Sequence, residues 1–317
     1  MDFEQESLVL PTAYSLGRLT VYPPGEGESP QLMEARGTVH VPAGANLFLS
    51  VSQELCDDLS KIHLVPERLL ANGITFSEKN LDKTDFEELL SLAPCCVVIH
   101  SCNAVSTEQI HDIGELRTIE HLNFSNTPLQ LLDFSWVPQL SNLRTLTLSG
   151  IGVDDAGLGF ITKLQHLEDL YLRGAKVSDP RVRGLWEMET LKDVKLGQCP
   201  IGDEALGNVG SCLSLRSLKV PETRISDRGV EVVVNESLRT GQRLTGLSLR
   251  SCRITDMSLV RLASLKDLVL LDLYSTEVTP EGAAFLKRSL PECRIFMGRD
   301  KGGGPNLSQV TRRDRPA

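Results

Sequence analysis

The sequence predicts an α/β solenoid, a curved stack of short units with a parallel β-sheet on its concave face and helices on its convex face. Three observations carry that prediction: a 24-residue motif recurring in phase, a two-residue alternation inside each copy, and a helix-start signal at a constant distance behind it. The motif reads L-x-x-L-x-L-x-x-(T/C)-x-(I/V)-(S/T/D)-D-x-x-(L/V)-x-x-(L/V), with clear copies beginning at Leu143, Leu167, Leu191 and Leu215. Leu244 follows Leu215 by 29 residues, so one copy carries an insertion, and Leu268 follows after a further 24. A unit this short cannot bury its own apolar face, and repetition in phase means that neighbouring units bury it for one another.

The register extends upstream. Ile119, Leu122, Phe124, Thr127 and Leu129 fill the slots of Leu143, Leu146, Leu148, Ile151 and Val153. A step of 24 back from there gives Cys95, Val98, His100, Asn103 and Val105, and another gives Ala71, Ile74, Phe76, Lys79 and Leu81. These two copies are degenerate, as terminal units of a stack are expected to be.

Each slot has a physical reason. In the L-x-x-L-x-L stretch Leu146 and Leu148 point inward while Thr145 and Thr147 point outward, which reads as a short strand. Stacked copies form a parallel sheet with strands about 4.8 Å apart. The ninth slot (Thr127, Cys199, Thr223, Cys252, Thr276) lies just past the strand, where a small side chain with a weak polar group can hydrogen-bond turn backbone. Ser178-Asp179-Pro180, Ser226-Asp227, Thr255-Asp256 and Thr279-Pro280 are helix starts, since Ser, Thr and Asp cap orphan amides and Pro suits the first turn. Leu158 with Ile161, and Leu259 with Leu262, then show the i, i+3 spacing of a helix packed on the sheet.

In these motifs the chain resembles leucine-rich repeat proteins, in the cysteine-containing, ribonuclease-inhibitor-like style of bacterial repeat proteins and eukaryotic F-box adaptors. The resemblance implies a leucine-rich repeat solenoid that binds another protein through its concave face and has no catalysis of its own. It also offers an alternative, a substrate-recognition subunit of a ubiquitin ligase. The only fragment similar to an F-box is Leu64-Val65-Pro66-Glu67-Arg68-Leu69-Leu70, and residues 17–51 upstream of it read as β rather than helix.

The repeats divide the chain into an N-terminal β-rich cap segment at 1–70, a repeat domain at 71–297 and a tail at 298–317. In the first segment Arg18–Val21, Gly37–Val41 and Asn46–Val51 read as strands, Pro23–Pro30 as a loop and Glu54–Ile62 as helix. Leu290–Phe296 reads as a closing half-repeat, and the residues after it, poor in apolar side chains, read as a disordered tail.

Charge and composition bound the function. A net charge of −9 argues against nucleic acid, whose phosphates need a basic face. No run approaches the ~18 apolar residues of a membrane span, and the acidic start Met1–Glu6 is not a signal peptide, so a cytoplasmic location is expected. Reduced thiols fit that compartment. Cys95, Cys96, His100, Cys102 and His111 have a superficial metal-ligand spacing. In the even 24-residue register, however, Cys95 and His100 face the core, Cys102 the concave edge and His111 the helix side, so no metal site is expected. No cofactor is expected either.

No G-x-S-x-G, H-E-x-x-H or Walker-type glycine loop occurs. His121 and Asp169 stand two strands apart, roughly 10 Å, too far for a triad with Ser125. What remains is the concave face. Its outward positions run from small and neutral (His121, Asn123, Ser125, Thr145, Thr147, Ser149) to charged and aromatic: Asp169, Tyr171, Arg173, then Asp193, Lys195, then Ser217, Lys219, Glu222, then Ser248, Arg250, then Asp272, Tyr274. Tyr and Arg are enriched at interface hot spots. The partner-binding candidates are therefore Asp169, Tyr171, Arg173, Asp193, Lys195, Lys219, Arg250, Asp272 and Tyr274, with the insertion Asn235–Gly241 as a lesser one. Lys195 and Lys219 share a slot on adjacent strands, and Asp193 or an acidic partner would offset their repulsion.

Overall fold

The computed structural model describes residues 5–11, 16–22, 30–43, 45–52, 74–77, 94–102, 111–127 and 133–298. The expected helix Glu54–Ile62, the F-box-like fragment Leu64–Leu70, most of the Pro23–Pro30 loop, the slots at Ala71, Lys79, Leu81, Asn103, Val105 and Leu129, and the tail from Arg299 lie outside these residues. The chain forms two compact units, Met1–Ile151 and Gly152–Ala317.

The first unit holds β1 (Gln5–Val9), β2 (Gly17–Tyr22), β3 (Gln31–Glu34), β4 (Thr38–Pro42), β5 (Asn46–Val51), β6 (Ile74–Ser77), β7 (Cys96–His100), β8 (His121–Ser125) and β9 (Thr145–Ser149). β1 pairs antiparallel with β4, and β2 lies antiparallel between β3 and β5. β5 then runs parallel to β6, so the N-terminal strands continue the sheet of repeat strands β6 to β9. Leu19, Val21, Leu47 and Leu49 alternate inward and are fully buried. The sequence marked β2, β4 and β5. β1 and β3 lacked a signal, because three of the four β3 residues are exposed and no alternation marks a buried face.

The register of β7 corrects the even 24-residue reading. Val97 pairs with Ile74 and Leu122, and Ile99 with Phe76 and Phe124. The step into this copy is therefore 23 residues and the step out of it 25, and a one-residue slip exchanges the two faces of a strand. Val97 and Ile99 face the core in place of Val98 and His100, which are half-buried. Cys102 sits not at a concave edge but in the ninth slot, fully buried, its thiol donating to the carbonyls of Phe76 (3.6 Å) and His100 (3.5 Å). Burial, and then the adjacent Cys95, pushes the Cys96 thiol up to about 11. Among the described residues no group of three or more His, Cys, Asp or Glu side chains is placed to hold a metal ion.

The second unit contains α1 (Asp155–Ile161), β10 (Asp169–Arg173), α2 (Asp179–Arg183), β11 (Asp193–Gly197), β12 (Ser217–Lys219), α3 (Asp227–Thr240), β13 (Gly246–Ser248), α4 (Asp256–Leu262), β14 (Leu270–Tyr274), α5 (Pro280–Ser289) and β15 (Arg294–Gly298). Strands β10 to β15 are parallel and pair in repeat register, as in Leu170↔Val194, Val194↔Leu218, Leu218↔Leu247, Leu247↔Leu271 and Leu271↔Ile295. Leu158 and Ile161 of α1, and Leu259 and Leu262 of α4, are fully buried. The ninth-slot side chains do hydrogen-bond turn backbone: Thr223 Oγ1 donates to Val220 O (2.8 Å), Thr276 Oγ1 to Leu273 O (2.7 Å) and Cys199 Sγ to Gly197 O (3.5 Å).

Two devices join successive repeats. In the turn behind each strand one residue takes a left-handed conformation, directly after β10, β11 and β14 (Gly174, Gln198, Ser275) and three residues beyond β12 and β13 (Glu222, Ser251), and its amide donates to the next copy, as from Gln198 to Pro221 O (3.0 Å) and Ser251 to Tyr274 O (2.9 Å). On the helix side, the aspartate opening each helical turn grips the cap residue of the next repeat. Asp155 accepts the amide and hydroxyl of Ser178, Asp203 those of Ser226, Asp227 those of Thr255, and Asp256 those of Thr279, all at 2.6–2.9 Å. Gly282 leaves room for the last carboxylate, since a Cβ there would lie 2.2 Å from Asp256 Oδ1.

The insertion is helical. Its residues lengthen α3 to 14 residues, and Gly241, left-handed at φ 77°, ends the helix with its amide on Ser237 O. Gln242 secures the extension by donating through Nε2 to Val209 O (2.8 Å) and Cys212 O (2.7 Å) while accepting from Ser237 Oγ (2.9 Å).

Candidate protein-binding face

The nine candidate residues lie in the second unit, on β10 to β14 or just beyond β13. Their facing follows from the ladder: Asp169↔Asp193, Tyr171↔Lys195, Lys195↔Lys219, Lys219↔Ser248 and Ser248↔Asp272 put these side chains on the face opposite the leucines. Facing and exposure diverge, however. Arg173 and Lys195 are exposed, and Asp169, Tyr171, Arg250 and Tyr274 are half-buried. Asp193, Lys219 and Asp272 are buried, with Ser217 and Ser248 beside them.

Two ion pairs account for the difference. Lys219 lies across the sheet rather than rising from it, its ammonium 2.6 Å from Asp193 Oδ2 and 5.8 Å from the centre of the Tyr171 ring. Arg250 lies the same way, Nε 3.1 Å from Asp272 Oδ2 and its guanidinium 4.9 Å from the centre of the Tyr274 ring. Asp272 also accepts from Ser248 Oγ (3.1 Å) and from the Tyr274 amide (3.1 Å). The charged ends thereby seal the floor of the face and brace one tyrosine at each end, with a cation on the ring as a further attraction. Asp193 Oδ1 and Ser217 Oγ, neighbours in the ladder, are buried without a protein hydrogen bond.

Above this floor Arg173 donates from Nε to Gln198 Oε1 (2.9 Å), and Gln198 Nε2 donates to Glu222 Oε2 (2.8 Å), a chain running along the strand ends. Gln198 was not singled out in the sequence. Its position, one residue beyond the strand, is set by the left-handed turn that also aims Glu222. Lys195 stands at the centre. Partial removal from water, and then the positive charges of Lys219 and Arg173, hold its ammonium below the usual lysine range, with Asp193 opposing them. The arrangement can accept a carboxylate or carbonyl at Lys195 and flat apolar surface on either tyrosine.

No family profile matches the sequence, and no curated protein matches it. Among solved structures, internalin C2 from Listeria monocytogenes is similar, with a TM-score of 0.41 and 16% identity, covering 68% of this chain and 74% of that one. The chain folds as a leucine-rich repeat solenoid, on the strength of its own strand register and repeated turns. Among the described residues no helix is long and apolar enough to cross a membrane.

Proposed function

We propose that the chain is a non-catalytic interaction scaffold that binds another protein through the outward face of β10 to β14. The observation that carries this reading is the pair of tyrosines, each braced by a cation, on either side of the exposed Lys195. Large aromatic area and directional charge on a rigid base are what interface anchors require. In this reading Tyr171, Arg173, Lys195, Arg250 and Tyr274 contact the partner, Asp169 lies at the edge of the contact, and Asp193, Lys219 and Asp272 hold the contacting residues from below. A cytoplasmic setting suits cysteines that, among the described residues, form no disulfide.

The test is capture from lysate, identified by mass spectrometry, with wild type beside a Tyr171→Ala, Lys195→Ala, Tyr274→Ala triple variant. The variant leaves both buried ion pairs in place, so circular dichroism should show an unchanged fold. A protein retained by wild type and lost by the variant, then rebound when purified, supports the reading. Equal retention by a folded variant refutes it.

A further inference from the structure

Two cations on the outward face of β10 and β11 are not spent within the described chain. Lys195 is exposed, and among the described residues its side chain has no hydrogen bond, ion pair or ring contact. Arg173, also exposed, commits its Nε to Gln198 Oε1 and leaves its terminal nitrogens open among the described residues. Lys219 and Arg250, by contrast, are spent on Asp193 and Asp272. The two open cations border one step in the face. Arg173 and Gly197 are ladder partners, and Lys195 precedes Gly197 by two residues on the same side of β11. Gly197 adds no side chain there, and Pro221 bounds the step on the β12 side, its Cγ 3.3 Å from where a Gly197 Cβ would lie.

Charge selects the occupant. Partial removal from water weighs on the Lys195 ammonium, and then the positive charges of Lys219, Arg173 and Arg250 outnumber the one opposing carboxylate, Asp193. Like charges this close cost free energy until an anion joins them. One negative charge is enough. A second would face Asp193, and Glu222, which Gln198 Nε2 holds beside Arg173 at 2.8 Å. We propose that the partner of this face seats the carboxylate of an aspartate or glutamate over Gly197, between Lys195 and Arg173, and lays its adjoining apolar surface on Tyr171. The inference rests on the reading of β10 to β14 as the binding face and adds the chemistry of what binds there. Charge-assisted hydrogen bonds from an ammonium and a guanidinium fix the carboxylate in place, and the charge match suppresses partners that present a cation.

The experiment pans a phage-displayed library of random short peptides on the full chain. Wild type should enrich peptides carrying Asp or Glu beside apolar residues. In fluorescence anisotropy a synthetic copy of the best one should bind Lys195→Gln at least about tenfold more weakly than wild type. Replacing its acidic residue with the amide should cost a similar factor on wild type and little further on Lys195→Gln, the signature of a direct pair. Lys195→Glu with Arg173→Glu should instead enrich Lys or Arg, a gain that misfolding cannot mimic. If peptides lost by a Tyr171→Ala, Tyr274→Ala variant show no acidic preference, or the double Glu variant leaves that preference unchanged, the carboxylate inference falls while the binding face stands. Tighter binding of a phosphoserine in place of the acidic residue overturns it too, by assigning the step to a phosphate. Peptides held equally by wild type and the tyrosine variant, or no enrichment over that variant, sink the binding face and this inference together.

Discussion

Lys219 Nζ sits 2.6 Å from Asp193 Oδ2 on a sheet face that the strand alternation alone would leave to solvent, and both side chains are buried. The pair converts a row of outward positions into a sealed floor. Removing one partner of such a pair leaves the other charged and dry, at a cost of about 3–5 kcal/mol, whereas replacing both with apolar groups of similar size is near neutral. Lys219→Met should therefore lower stability by about 3 kcal/mol in urea denaturation, and the double variant Asp193→Leu, Lys219→Met should recover most of the loss. A single variant as stable as wild type would show the pair to be solvated.

The aspartates that link repeats make a second prediction. Burial acts to raise the Asp227 pKa, but hydrogen bonds from Ser258 and Thr255 outweigh it and hold the carboxyl below its ordinary value. A depressed folded pKa gives stability that is complete above the ordinary carboxylate range and drains as the pH falls through that range toward the folded value. Asp227→Asn should cost about 1–2 kcal/mol at neutral pH, because the amide presents a donor where Thr255 and Ser258 donate. The wild-type advantage should shrink steadily below about pH 4. Urea midpoints across that range check it, and a pH-independent difference would refute it.

The lengthened α3 makes a third. A Cβ at Gly210 would lie 2.6 Å from the backbone oxygen of Glu236 and 2.8 Å from Thr240 Oγ1, so the helix would have to shift. Gly210→Ala should destabilise by about 1–3 kcal/mol through overpacking. Gln242→Ala should cost about 1–2 kcal/mol by removing two buried hydrogen bonds, to Val209 O and Cys212 O, which keep only the Cys212 and Leu215 amides as donors. If five of the residues from Asn235 to Gly241 were a tolerated loop, both changes would be close to neutral in thermal melts.

How much of this was legible in the sequence follows from what alternation encodes. Two-residue periodicity tells which side of a strand a residue faces, and it placed Tyr171, Lys195 and Tyr274 on the ladder face opposite the leucines. It says nothing of depth, because depth depends on whether a long neighbour such as Lys219 or Arg250 rises or lies flat. Constant spacing failed where the spacing itself changed: the 23- and 25-residue steps around β7 moved His100 out of the core and Cys102 into it. The Ser-Asp and Thr-Asp pairs announced helix caps, but the reach of Asp203 to Ser226 joins residues 23 apart and follows from the stacking of two turns. The insertion was visible as a length, and its helical form depended on Gly241 and Gln242, which become informative once Val209 and Cys212 are known to lie beside them.

The cysteines provide the last prediction. Burial pushes the thiols of Cys212 and Cys293 up to about 11, and Cys102, Cys199 and Cys252 are buried and donate to backbone carbonyls. Alkylation requires the thiolate and access to it. At pH 8 the native chain should therefore react slowly with iodoacetamide at all five sites, and Cys95, half-buried on the surface, should be modified before them even though burial raises its pKa as well. Reaction in urea should be fast at every cysteine and should track the unfolding transition. Peptide mapping of the alkylated protein distinguishes the sites. Rapid native modification of Cys252 would mean that the Val220 turn opens readily, and the ninth slot would then be a weak joint rather than a packed one.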